Sequence, residues 1–219
     1  MPVLVFDFDS TLVQDEGLDE LFLHSLEGAA DREERATAFR AVTDRGMDGG
    51  LPYAESLRLR MEVLQANGAQ VAETARRLAS RITPSVQRHR AFFQDPERQI
   101  HIVSGGFQEL ILPTAAWLGI PAERVHAQRF RLADGAIVGI DPHTPMARGG
   151  KLEAVRLLQV PPGELWVVGD GATDLEIRSL GYAGTFVAFT ENRRREPVVS
   201  AADHVAASMD DLLHLLSGV

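Results

Sequence analysis

Apolar positions along the chain come in two alternating kinds. Continuous runs at residues 3–6, 99–103, 165–168 and 185–189 are rich in β-branched and aromatic side chains, the pattern of strands covered on both faces in a parallel sheet. Between them lie longer stretches with apolar residues three and four apart, as in helices that pack on such a sheet. Alternating strands and helices with short links predict an α/β fold.

One long interval breaks that alternation. Leu18, Leu21, Phe22 and Leu26 predict an amphipathic helix, and Asp31 starts a second that runs through Phe39 and Val42. Pro52 suits the first turn of a third helix carrying Leu57, Met61 and Leu64, and Val71, Ala75 and Leu78 mark a fourth. With no strand among them, residues 14–80 are expected to form an all-helical cap inserted after the first strand. Residues 1–13 and 81–219 then make up the α/β core.

Beyond the cap, a helix is expected over 84–93 and another over 107–118, kinked at Pro113. The second strand should stop at Ser104-Gly105-Gly106. Asp134-Gly135 between strand-like arms predicts a β-hairpin. The arginine-rich stretch after Phe189 reads as a loop, followed by a short strand near His204 and a closing helix with Leu212, Leu213 and Leu216.

Composition narrows the function. The 219 residues are 45% apolar and 24% charged, a globular balance, and the net charge of −9 argues against nucleic acid or an anionic membrane as partner. Without cysteine there are no disulfides, thiolate metal sites or cysteine nucleophile. No apolar run approaches ~18 residues and no basic segment leads into an apolar core at the start, so neither a membrane span nor a signal peptide is expected. A cytoplasmic location fits. Nothing in the pattern speaks to oligomeric state.

Candidate chemistry gathers at the strand ends. Asp7 and Asp9 follow the first strand, Ser104 the second, and Asp170 and Asp174 the third, while Lys151 stands at a helix start after Gly149-Gly150. Ligands of open α/β sheets collect at that edge. Two carboxylates one residue apart repel each other, a divalent cation is the simplest remedy, and an oxygen-only ligand set favours Mg²⁺ over Zn²⁺. Each residue also has a plainer reading: Asp7 and Asp9 as a loop or N-cap pair, Ser104 as a turn hydroxyl, Lys151 as a surface lysine, Asp170 and Asp174 as turn and cap residues. The ordered set is much harder to obtain by chance.

Asp7-Phe8-Asp9-Ser10-Thr11, Ser104-Gly105-Gly106-Phe107, Gly149-Gly150-Lys151 and Gly169-Asp170-Gly171-Ala172-Thr173-Asp174, in that order, resemble the motif series of the haloacid dehalogenase superfamily of phosphotransferases. Glu16-Gly17 and Ser104-Gly105-Gly106-Phe107 narrow the resemblance to its phosphoserine phosphatase family. The cap from Met47 through Arg60 matches less closely, and residues 29–45 and 191–197 match little.

That resemblance implies a Rossmannoid core with a parallel sheet under the helical cap. It implies a Mg²⁺ held by Asp7, Asp170 and the main-chain carbonyl of Asp9. Asp7 would attack phosphorus to form an aspartyl-phosphate, with Asp9 as acid and then base. Ser104, Gly105 and Lys151 would hold the phosphate, Thr11 and Asp174 would support the site, and Thr173 would lie near the substrate. Glu16, Met47, Gly49 and Arg60 would read the amino-acid end from the cap, although Glu16 and Arg60 also read as ordinary surface charges. The implied reaction is hydrolysis of O-phosphoserine to serine and phosphate, the last step of serine biosynthesis. Alternatives are a related phosphatase or phosphotransferase acting on another small phosphomonoester, and a non-catalytic receiver-like module that only accepts phosphate on Asp7. Asp9 and the large cap speak against the receiver.

Overall fold

In the computed structural model, which describes residues 1–218, the continuous apolar runs form strands of one parallel sheet. These are β1 (Val3–Phe6), β2 (Ile100–Phe107) and β3 (Val125–Gln128), and, after a separate hairpin of β4 (Phe130–Ala133) and β5 (Ala136–Ile140), β6 (Leu165–Gly169), β7 (Thr185–Phe189) and β8 (His204–Ala206). The order is β3-β2-β1-β6-β7-β8. β1 is therefore central, with Leu4 beside Ile100 on one side and Trp166 on the other. Between β1 and β6 the winding reverses, and a crevice opens there at the carboxyl ends of the strands.

Alternate residues of the strands feed two apolar clusters, one on each face. Leu4, Phe6, Ile102 and Val168 belong to one, and Val3, Val5, Val103 and Val167 to the other.

The cap region consists of α1 (Gly17–Ser25), α2 (Arg32–Met47), α3 (Tyr53–Val63) and α4 (Gly68–Ala79). Asn67 and Gln70 form a capping box at the start of α4. The later helices are α5 (Pro84–Arg88), α6 (Arg90–Phe93), α7 (Gln108–Leu118), α8 (Pro145–Leu157), α9 (Ala172–Ser179), α10 (Glu196–Val199) and α11 (Met209–Ser217). α1 and α4 are not a detached lid: Leu18, Leu21 and Leu78 share the cluster of Phe107 and Leu110. α2 reaches that cluster mainly through Phe39, whose ring stacks on Phe22 at 4.0 Å.

Several local expectations change. The helix expected over 84–93 is divided at His89, whose Nε2 lies 2.7 Å from Asp210 at the start of α11. β2 continues through Ser104-Gly105-Gly106 to Phe107, with a register shift against β3 between Val103 and Phe107. Pro113 sits inside α7 without ending it. The arginine-rich stretch contains the short α10. The hairpin turn forms as expected, with Asp134 and Gly135 at φ 50° and 78°. Among the described residues no helix is long and apolar enough to cross a membrane.

Candidate active site

β1 delivers Asp7 to the crevice, where its backbone N–H donates to the Val168 carbonyl of β6 over 2.9 Å. The side chain is buried. Its Oδ1 accepts from the Phe8 N–H at 2.7 Å and lies 2.8 Å from Lys151 Nζ. Lys151 also donates to Asp174 Oδ1 at 2.7 Å. The lysine reaches both because the α8 run is broken at Gly149 and Gly150, the latter at φ 65°, so that a new helical segment begins at Lys151. Burial acts to lower the Lys151 pKa, but the paired carboxylates Asp174 and Asp7 more than offset it and hold the ammonium charged.

β6 ends in Gly169, where a Cβ would lie 2.4 Å from Asp174 Cγ, so only glycine lets α9 bring Asp174 back over the strand. Oxygens of Asp7, Asp170 and Asp174 all lie within 4.8 Å of one another. Asp170 Oδ1 is buried and has no hydrogen-bond partner, and a buried orphan acceptor is costly. Burial, then Glu16 and Asp7, pushes the Asp170 pKa well above its usual value, and burial, then Asp7, pushes that of Asp174 up to about 7. Three crowded acids with an orphan oxygen and no nitrogen or sulfur donor fit a hard divalent cation such as Mg²⁺.

Asp9 is held differently. Its Oδ1 accepts the Gly17 N–H at 2.9 Å. Burial, then Glu16 and Asp7, raises its pKa well above the usual value, so it is disposed to carry a proton. Ser104 is fully buried in β2, and its Oγ accepts from the Gly106 N–H at 3.0 Å.

The cap closes over this floor. A small inner cavity is lined by Asp7, Asp9, Ser104, Gly105 and Lys151 from the core together with Glu16, Met47 and Arg60; Thr173 also borders it. Arg60 is 8% exposed, donates from Nη1 to Thr43 Oγ1 at 3.3 Å and lies 3.9 Å from Asp19. Glu16 accepts from Ser10 Oγ at 2.8 Å. Neither is an ordinary surface charge. Gly49, at φ 81°, does not border this cavity; a Cβ there would lie 3.4 Å from Ala172 Cβ. Thr11 is buried beneath the first motif, where its carbonyl accepts from Thr83 Oγ1 at 2.7 Å.

Arg195 belongs to none of the sequence motifs yet reaches the site. It is buried, donates from Nε to Asp170 Oδ2 and from Nη1 to Asp48 in the cap, both at 2.9 Å, and lies 3.8 Å from Glu16. Asn192 anchors the preceding loop by donating to the Ser10 and Val13 carbonyls and to Thr83 Oγ1.

Residues 4–177 match the family model for haloacid dehalogenase-like hydrolases. The chain belongs to that family. Within it, the chain is related to phosphoserine phosphatases: it is 33% identical to the chloroplastic phosphoserine phosphatase of Arabidopsis thaliana over 96% of this chain and 70% of that one. The crystal structure of a phosphoserine phosphohydrolase-like protein from Francisella tularensis superposes with a TM-score of 0.88, at 28% identity over 98% of this chain and 99% of that one. A structure described as a phospho-aspartyl intermediate analogue of phosphoserine phosphatase superposes with a TM-score of 0.74, at 26% identity over 98% of both chains. The α/β core with a helical cap expected from the sequence is thus the fold of this haloacid dehalogenase-like hydrolase.

Proposed function

We propose that the protein is a Mg²⁺-dependent phosphoserine phosphatase that works through an aspartyl-phosphate on Asp7. The observation that carries the reading is that Glu16 and Arg60 border the same inner cavity as Asp7, Asp9, Ser104 and Lys151. An ammonium and a carboxylate on the substrate would then each meet a partner of opposite charge, on the side away from the phosphate.

In this reading Ser104 Oγ and the Gly105 N–H donate to non-bridging phosphate oxygens, and Lys151 neutralises part of the charge. An Asp7 oxygen attacks phosphorus in line. As that P–O bond forms, the bond to the serine oxygen breaks, and Asp9 gives its proton to the leaving alkoxide. Asp9, now ionised, takes a proton from the water that attacks phosphorus, freeing Asp7 and releasing phosphate. Asp7, Asp170 and the Asp9 main-chain carbonyl, with Asp174 beside them, would hold a Mg²⁺, which would supply the positive charge that lets an anionic nucleophile approach a phosphate dianion. The Gly17 N–H keeps the Asp9 carboxylate apart from that cluster, free for proton transfer.

Residues 14–80 act as the lid. α4 packs on α7 and α1 on α4 and β2, whereas α2 and α3 pack chiefly on each other and on α1, so α2 and α3 are the part that moves to admit substrate. The test is turnover of O-phosphoserine with Mg²⁺, followed by mass spectrometry of acid-quenched enzyme. The reading requires phosphate release and a phosphorylated Asp7. Phosphate on Ser104, or none released, contradicts it.

A further inference from the structure

Two cavities of unequal size meet at Tyr53. The inner one, with the catalytic carboxylates, measures about 30 Å³, room for roughly two waters. The outer one measures about 720 Å³, in the usual range of small-molecule sites. Tyr53, Gly105, Lys151 and Thr173 border both.

Tyr53 is the first residue of α3, and its hydroxyl donates to the Gly105 carbonyl over 2.5 Å. Its ring lies so close that a Cβ on Gly105 would sit 2.7 Å from Tyr53 Cε2. The ring is thus tied at its far end to the strand that carries Ser104, and it borders both cavities. Behind it Leu57, Met61, Ile140, Pro142 and Met146 give the outer cavity an apolar wall, while Gln128, Arg148 and Glu176 also line it. Arg58 and Glu62, which also border it, pair with each other.

We propose that Tyr53 is a size-selecting partition and that the outer cavity is a latent subsite for the apolar alcohol part of larger phosphomonoesters, aryl or branched alkyl. The proposal rests on the phosphomonoesterase reading above. The bonds made and broken stay the same, and only the alcohol that leaves is different. With the partition in place, the leaving group is confined to the inner cavity and to what movement of the cap adds to it. A shortened side chain joins the cavities, and an aryl group then exchanges water for an apolar wall.

The test is a size series of ethyl, phenyl and 1-naphthyl phosphate, assayed with Mg²⁺ on the full chain and on its Tyr53→Phe, Tyr53→Leu and Tyr53→Ala variants. For Tyr53→Ala, kcat/KM for 1-naphthyl phosphate should rise at least about tenfold while that for ethyl phosphate falls. Tyr53→Phe keeps the ring but loses the tie, and should gain a few-fold for 1-naphthyl phosphate, chiefly through KM. Tyr53→Leu serves as the reporter if the alanine variant does not fold, and the inhibition constant of 1-naphthylmethylphosphonate should fall in step. Equal changes across the three esters, or a loss confined to the naphthyl ester, overturn the partition. A wild type that does not favour phosphoserine would sink the substrate assignment while leaving this series readable.

Discussion

Arg195 donates from Nε to Asp170 Oδ2 over 2.9 Å, joining a loop after the fifth strand of the sheet to a carboxylate of the candidate metal cluster. Its Nη1 bond to Asp48 runs to the cap, but Asp48 is half exposed while Asp170 is wholly buried. The two arms are therefore unequal. Removing one partner of a buried ion pair leaves a charge stranded, whereas an exposed arm is screened by water.

Arg195→Ala should lower the free energy of unfolding by about 3–5 kcal/mol, and Asp48→Ala by less than about 1 kcal/mol. Urea titration of both variants without metal checks this. Equal effects would mean that the guanidinium serves the cap and not Asp170.

Metal binding should appear as stability as well as activity. Mg²⁺ at a hundred times its dissociation constant adds about 2.7 kcal/mol, or roughly 5–10 °C in Tm for a chain of this size. The shift should vanish on chelation and in Asp170→Asn, whose side chain keeps the shape but not the charge. A Tm indifferent to Mg²⁺ in the wild type contradicts the cluster's role.

Much of this was legible in the sequence because a strand end leaves little freedom. Once Val3 to Phe6 form a buried strand, Asp7 must emerge at its carboxyl end, and the same holds for Asp170 after β6. Glycine at 149, 150 and 169 marks sharp breaks or close approaches. Arg195 was hidden by its neighbours. Arg193 and Arg194 are exposed and only Arg195 turns inward, a choice imposed by the Asn192 anchor from another part of the chain. The length of β2 was misjudged because Ser104-Gly105-Gly106 reads locally as a turn, while pairing with β3 resumes at Phe107 opposite Gln128. The break at His89 depends on Asp210, more than a hundred residues away in sequence.

Asp19 offers a test of the cap's electrostatics by pH. Burial, and then Glu16, pushes its pKa up to about 7, against about 3.9 in an unfolded chain. Between those values the folded state binds more protons than the unfolded one, so this group makes stability fall as pH rises from about 4 to 7. Three units at 1.36 kcal/mol each set an upper scale of about 4 kcal/mol. Asp19→Asn should flatten the pH dependence over that window relative to wild type. Parallel stability curves for the two proteins would show that folding does not raise the Asp19 pKa.

Asp7→Asn should keep the fold while reducing turnover by about three orders of magnitude or more, the scale of losing a group that acts only in the transition state. Circular dichroism and thermal unfolding check the fold, and single-turnover assays check the loss. Retention of more than a few per cent of activity would move the nucleophile elsewhere.

If the cap reads the amino-acid end of the substrate, Arg60 is the residue through which it does so. A charge-assisted hydrogen bond to a desolvated carboxylate is worth about 1.5–3 kcal/mol, roughly ten- to a hundredfold. The deciding measurement is kcat/KM of wild type and Arg60→Ala for O-phosphoserine and for p-nitrophenyl phosphate, which has no carboxylate. The account predicts a loss of about ten- to a hundredfold for phosphoserine and little change for p-nitrophenyl phosphate. An equal loss for both esters would assign Arg60 to cap closure and remove phosphoserine as the preferred substrate.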